Sequence, residues 1–193
     1  MSGNIFKLWR CVLADIIYRF AGAQTTKKID ADAERYLMNS SNEDKHRKGL
    51  SALNYLLLSE DRTFRNVFYY RARGLGKLCT LCKLFLPAVK AVEIYGEIDG
   101  GLLLSHNHMV VHPEKAGKNL YVGPGAVIGK NNGGFPIIGD NVYVGANSTV
   151  IGNINIGDNV TILPGTVVTK SLRDSAVYSG NPARCVNDAQ NTV

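Results

Sequence analysis

Aliphatic side chains recur at every sixth residue from Val92 to Val168, with one four-residue interruption. The positions are Val92, Ile98, Leu104, Val110, Ala116, Val122 and Ile128, then Ile138, Val144, Val150, Ile156, Ile162 and Val168. In a chain that is 45% apolar, an unbroken run of this kind at a fixed phase has a chance of about 3 in 100,000. An amphipathic helix repeats every 3.6 residues and a half-buried strand every two, so neither explains the spacing. A parallel β-helix does. Six residues make one short strand and one corner, three hexads close a triangular coil, and each sixth side chain stacks inside on its counterpart eighteen positions away. Gly117, Gly123, Gly129, Gly139, Gly145 and Gly157 follow aliphatics of the series, where the corners fall. The hexads predict a little over four coils, a stack about 20 Å tall at the ~4.8 Å spacing of adjacent strands.

The interruption, Lys130-Asn131-Asn132-Gly133-Gly134-Phe135, predicts a loop over about 129–137 with an exposed aromatic. Such loops either decorate a repeat scaffold or carry its binding residues. Residues 1–90 read as an α-helical domain. Phe6, Trp9, Leu13, Ile16, Ile17 and Phe20 follow helical spacing, Gly22 is a stop, and Thr63 to Leu86 forms a second long segment ending before Pro87. The polar stretch from Thr25 to Lys48 predicts the main loop of this half. Helices there would cover the solenoid's unpaired strand edges, and Tyr69 and Tyr70 offer aromatic surface for assembly. The predicted organisation is a helical domain over 1–90, the β-helix over 91–174, and a C-terminal tail over 175–193.

Composition adds bounds rather than direction. The 193 residues are 20% charged with a mean hydropathy of −0.05, as in ordinary folded domains. No apolar run is long enough to cross a membrane, and the first residues lack the pattern of a signal peptide, so a cytoplasmic location is expected. Four cysteines (Cys11, Cys79, Cys82, Cys185) are too scattered for a disulfide framework. The lone Cys79–Cys82 CxxC sits in an apolar helical setting and reads as packing. The net charge of +6 comes without a nucleic-acid-binding motif; it serves solubility, or meets a phosphorylated cofactor or an acidic acceptor.

Three of the four histidines lie in Leu104-Ser105-His106-Asn107-His108-Met109-Val110-Val111-His112. Counted from inward Leu104, His106 falls at an outward or corner position and His108 at a place that turns inward. An imidazole near neutral pH is the natural base for taking a proton from a hydroxyl or amine, and His106 is the one free to meet a ligand. His106 and His112 fall on different faces of the triangle, which argues against a metal held by one subunit.

Gly101-Leu-Leu-Leu-Ser-His106, the Gly-Gly insertion followed by Pro136-Ile-Ile-Gly-Asp-Asn-Val-Tyr-Val-Gly145, and Gly180-Asn-Pro-Ala-Arg184 together resemble the hexapeptide-repeat acyltransferases. The resemblance covers about residues 60–187 and is nearest to serine acetyltransferase and the O-acetyltransferases of bacterial polysaccharide synthesis. It implies a left-handed β-helix, acetyl-CoA as donor, no metal, and homotrimers with active sites between neighbouring solenoids; whether trimers pair into hexamers stays open. By position it makes His106 the catalytic base. The acid that orients this base would stand at Ala91; a two-residue deletion near Tyr95-Gly96 brings Glu93 there, although the sixfold register argues against that deletion, with Glu97 and Asp99 behind it. Gly133, Gly134, Ala146, Pro164, Gly165, Lys170 and Arg184 match the CoA groove, small residues for the pantetheine arm and cations for phosphates.

The acceptor pocket departs from the resemblance. In serine acetyltransferase an acidic residue precedes the base and an Arg-His pair follows in the insertion, and the matching places here are Ser105 and Gly134-Phe135. A zwitterion would lose both charge partners, whereas a sugar hydroxyl needs neither and Phe135 could lie under a pyranose face. Ser105, His108 and Phe135 are therefore the expected acceptor contacts. The reading is O-acetylation of a sugar or polysaccharide precursor, with serine O-acetylation as the alternative.

Overall fold

A computed structural model of the chain describes residues 5–40, 45–106, 108–131 and 133–186. It divides into two compact units, residues 1–90 and 91–193. In the first unit a 3-10 turn, Ile5–Cys11, leads into α1 (Val12–Phe20), followed by α2 (Ala23–Met38), α3 (Gly49–Leu58), α4 (Thr63–Arg71) and α5 (Gly76–Phe85). Gly22, at φ 82°, separates α1 from α2, the stop expected of it. The side chain of Phe6 lies outside the described residues.

Three expectations for this unit are corrected. Tyr69 and Tyr70, read as aromatic surface for assembly, are buried in the helical core. The stretch read as its main loop is largely α2, because Ile29, Ala33, Tyr36 and Leu37 recur on one helical face and are buried. The fifth member of that stripe is Asp32, wholly buried and bound through both carboxylate oxygens by the Arg71 guanidinium at 2.8 and 3.0 Å. A charged residue in an apolar stripe hides the helix from a hydropathy reading. The segment from Thr63 to Leu86 is likewise two helices, broken at the 3-10 turn Arg73–Leu75. Cys79 and Cys82 are buried in α5, and the Cys79 thiol donates to the Ala72 carbonyl.

The second unit is a parallel β-solenoid. Its strands are β1 (Val92–Ile94), β2 (Glu97–Ile98), β3 (Leu103–Leu104), β4 (Met109–Val111), β5 (Lys115–Ala116), β6 (Tyr121–Val122), β7 (Val127–Gly129), β8 (Ile137–Ile138), β9 (Tyr143–Val144), β10 (Thr149–Ile151), β11 (Asn155–Ile156), β12 (Thr161–Ile162), β13 (Val167–Val168), β14 (Val177–Ser179) and β15 (Arg184–Cys185). Every third strand pairs in parallel, giving a first sheet β1-β4-β7-β10-β13, a second β2-β5-β8-β11 and a third β3-β6-β9-β12-β14, to which β15 adds antiparallel. Leu104, Val122, Val144, Ile162 and Tyr178 form one continuous buried column. Burying each such side chain is worth roughly 1.5–3 kcal/mol before chain entropy is counted. The solenoid therefore continues past the aliphatic series, with Leu172 and then Tyr178 taking the next inward places, and makes about five turns rather than four. Within the stretch 175–193, residues up to 186 continue the third sheet and the remainder lies outside the described residues.

Candidate active site

The third and first sheets meet at a corner that three coils build alike. Gly123-Pro124-Gly125, Gly145-Ala146-Asn147 and Leu163-Pro164-Gly165 each join an inward aliphatic to Ala126, Ser148 or Thr166, the aligned starts of the next strands. The coil above them uses four residues, Ser105 to His108, before Met109. That extra residue changes the register. Met109 and Val111 are buried, while Val110 is only half-buried and pairs with Val127 on the outer face. The sixth-position series is thus corrected at Val110, and the corner bulges outward.

His106 and His108 are both exposed, at φ 65° and 63°. His108 was expected to turn inward; the inserted residue swings it out and Met109 fills the inward place instead. In the coils below, the left-handed conformation falls once, on Gly125, Asn147 or Gly165, residue types that tolerate it. A histidine there costs about 1–2 kcal/mol, and strain of this kind collects at functional sites. Asn107, between the two, lies outside the described residues.

Below the histidines the coils approach closely. A Cβ on Gly123 would stand 2.6 Å from the Ala146 nitrogen, and one on Gly145 2.5 Å from the Pro164 nitrogen, so these positions need glycine. The Gly165 N–H donates to the Ala146 carbonyl at 2.8 Å. Ala146, Pro164 and Gly165 line the open edge, half-buried to exposed. At its foot the Val167 N–H donates to the Gly180 carbonyl (3.0 Å), the Ala183 N–H donates to the Val167 carbonyl (2.9 Å), and exposed Arg184 follows. Ser105, His106, His108, Ala146, Pro164, Gly165 and Arg184 therefore share one edge. The Gly-Pro-Gly of residues 123–125 belongs to it too; its sequence signal is a turn tripeptide in the phase of Ser105.

The remaining predicted groove residues lie at a different corner, between the first and second sheets. Asn131 and Gly134 exchange backbone hydrogen bonds at 3.1 and 2.9 Å, with Gly134 at φ 139°; this tight loop carries Gly133 and Phe135, and Lys170 is exposed at the same corner of the last coil. Asn132 lies outside the described residues. Phe135 is half-buried rather than an open platform: its ring centroid is 4.1 Å from that of His112, and the Lys130 ammonium stands 5.9 Å over the ring. Tyr95 meets the same imidazole at 4.9 Å. A single chain thus does not bring Gly133, Gly134, Phe135 and Lys170 to His106. His106 and His112 fall at opposite ends of β4, and among the described residues no three His, Cys, Asp or Glu side chains are grouped to hold a metal.

Glu93 is exposed on β1, paired with Val110 just past the histidine corner. Ile94 stacks on Val111 and Ile98 on Ala116, so only four residues separate inward places that are six apart at Val150 and Ile156. The shortening falls at Tyr95-Gly96, where Gly96 has φ 78° and a Cβ would run into the Pro113 carbonyl oxygen. The two-residue contraction that the sixfold count opposed is therefore present, and the register no longer argues against Glu93.

Residues 135–170 match the sequence family described as bacterial transferase hexapeptide (six repeats). A putative acetyltransferase, YvoF, of Bacillus subtilis is 33% identical over 90 residues, 40% of this chain and 50% of that protein. Serine acetyltransferase 4 of Arabidopsis thaliana is 26% identical over 187 residues, 91% of this chain and 50% of the relative. The chain thus spans about half the length of these relatives. The crystal structure of serine acetyltransferase from Neisseria gonorrhoeae in complex with serine superposes with a TM-score of 0.65 at 27% identity, over 88% of this chain and 73% of that one. The solenoid described above matches the left-handed β-helix of that fold.

Proposed function

We propose, for a hexapeptide-repeat acyltransferase related to the serine acetyltransferases, transfer of an acetyl group from acetyl-CoA to a hydroxyl of a sugar or polysaccharide precursor. The observation that carries this reading is the four-residue corner, which presents His106 in a strained, exposed conformation at the head of an edge lined by Ala146, Pro164 and Gly165. His106 takes the acceptor's proton as its oxygen attacks the thioester carbonyl carbon. Backbone N–H groups stabilise the resulting oxyanion. Collapse of the tetrahedral intermediate breaks the C–S bond, and the imidazolium returns the proton to the CoA sulfur. Glu93 orients the imidazole, Arg184 and the Lys170 of a neighbouring solenoid meet the phosphates, and the open edge takes the pantetheine arm.

The separation of the two corners supports a homotrimer in which the loop of one solenoid, with Gly133, Gly134 and Phe135, faces the histidine corner of the next. Ser105 and His108 flank the acceptor. The sugar reading rests on charge: no acid stands at Ser105 and no Arg-His pair at Gly134-Phe135, so a zwitterion would be held without its charge-assisted bonds. Since Phe135 already packs on His112, its part is to shape the pocket. The relatives favour a second reading, serine O-acetylation. Thiol release from acetyl-CoA, followed with a panel of sugars and with L-serine, separates the two. A sugar is expected to turn over well above serine; efficient turnover of serine would overturn the acceptor assignment.

A further inference from the structure

The helical unit exposes an apolar face that its own core does not use. Along the 3-10 turn and α1, Cys11, Ala14 and Ile17 are fully buried, whereas Trp9 and Phe20 are 62% and 73% exposed and Val12 and Ile16 open to the same solvent side. A helix apolar on both sides is one that is covered on both. The surface continues onto α5, where Leu84 is 75% exposed and the Trp9 ring meets neighbouring Phe85 edge-on at 5.6 Å.

Charge indicates the occupant. Residues 1–90 hold 16 of the 22 Lys and Arg but 8 of the 16 Asp and Glu, a formal +8, and the rest of the chain is −2. Exposed Arg19 and Lys83 directly precede Phe20 and Leu84. A unit of net charge +8 finds its complement on an anionic surface. An anionic bilayer supplies both an apolar interior for the rings and negative headgroups for the flanking cations. No described helix is long and apolar enough to cross a membrane, so the contact is peripheral. We propose that the helical unit docks on an anionic lipid surface, with Trp9, Phe20 and Leu84 inserted at the headgroup level and Arg19 and Lys83 on lipid phosphates. This inference is independent of the acyl-transfer reading.

Trp9 is the sole tryptophan, so it reports directly. The full chain is titrated with phosphatidylcholine vesicles with and without phosphatidylglycerol, following tryptophan emission and co-sedimentation. A blue shift and co-sedimentation with the anionic vesicles, weakened by salt, are expected. Phe20→Ser with Leu84→Ser should lower the affinity by about tenfold or more, and Arg19→Glu with Lys83→Glu should erase the preference for anionic lipid, both with unchanged circular dichroism. Unshifted emission and no co-sedimentation with anionic vesicles would overturn the proposal. So would a blue-shifted emission without lipid that reverts on dilution, which would show a second copy on this face.

Discussion

Replacing Asp32 by alanine tests how the helical unit is held together. The Asp32 side chain is 0% exposed and that of Arg71 4%, and the guanidinium grips the carboxylate through Nε at 2.8 Å and Nη2 at 3.0 Å. Truncation leaves a buried cation without its carboxylate, a change worth about 3–5 kcal/mol. At roughly 4–8 °C per kcal/mol for a unit of this size, the melting temperature should fall by at least about 12 °C. Thermal and urea unfolding of the full chain, followed by far-ultraviolet circular dichroism, measures it. Asp32→Leu combined with Arg71→Met removes both charges and should recover most of the loss, because apolar replacement of a buried pair is often neutral. The reasoning is refuted if Asp32→Ala costs less than about 1 kcal/mol, or if the double variant is no more stable than the single.

Three further outcomes follow from the structure. Gly145→Ala puts a Cβ 2.5 Å from the Pro164 nitrogen, so urea unfolding should show a loss of about 1–3 kcal/mol, and the KM for acetyl-CoA should rise. Burial pushes the Cys11 thiol up to about 11 and raises Cys79 and Cys82 as well, while Cys185 is half-exposed; a colorimetric thiol reagent at mildly alkaline pH should therefore modify Cys185 alone in the folded chain and all four cysteines after unfolding. The same shifts set the pH dependence of stability. Groups raised on folding stabilise fully below their unfolded pKa, near 9 for a thiol, and this is lost as pH rises through the folded value. The melting temperature should hold steady up to about pH 9 and fall towards pH 11, where burial also holds the Tyr69 phenol above its ordinary value.

The solenoid was legible because an inward aliphatic every sixth residue is a direct image of its geometry. The local shift at the histidine corner was not, since Met109, Val110 and Val111 are three apolar residues in a row and a sixth-position count is satisfied whichever of them points inward. That ambiguity placed His108 inside; the register was set against Glu93 by a second one, since Val92 and Ile94 are both apolar and the count took Val92 where Ile94 stacks on Val111. The separation of His106 from Phe135 was present in the phase: Leu104 and Ile128 stand four hexads apart, not a multiple of three, so the segments after them lie at different corners. In the helical half the stripe of α2 was masked because one of its buried members is Asp32, whose partner Arg71 lies 39 residues away. Pattern reading registers hydropathy, and a buried ion pair is polar in sequence and core in structure.

The assignment of His106 as general base is tested most directly by His106→Ala in steady-state transfer from acetyl-CoA to the best acceptor of the panel, alongside donor binding by calorimetry. The account predicts a fall in kcat of about 10²–10⁴, with the affinity for acetyl-CoA held to within about twofold because the proposed donor site, along the Ala146–Gly165 edge, is left intact. A variant that turns over at the wild-type rate would contradict it.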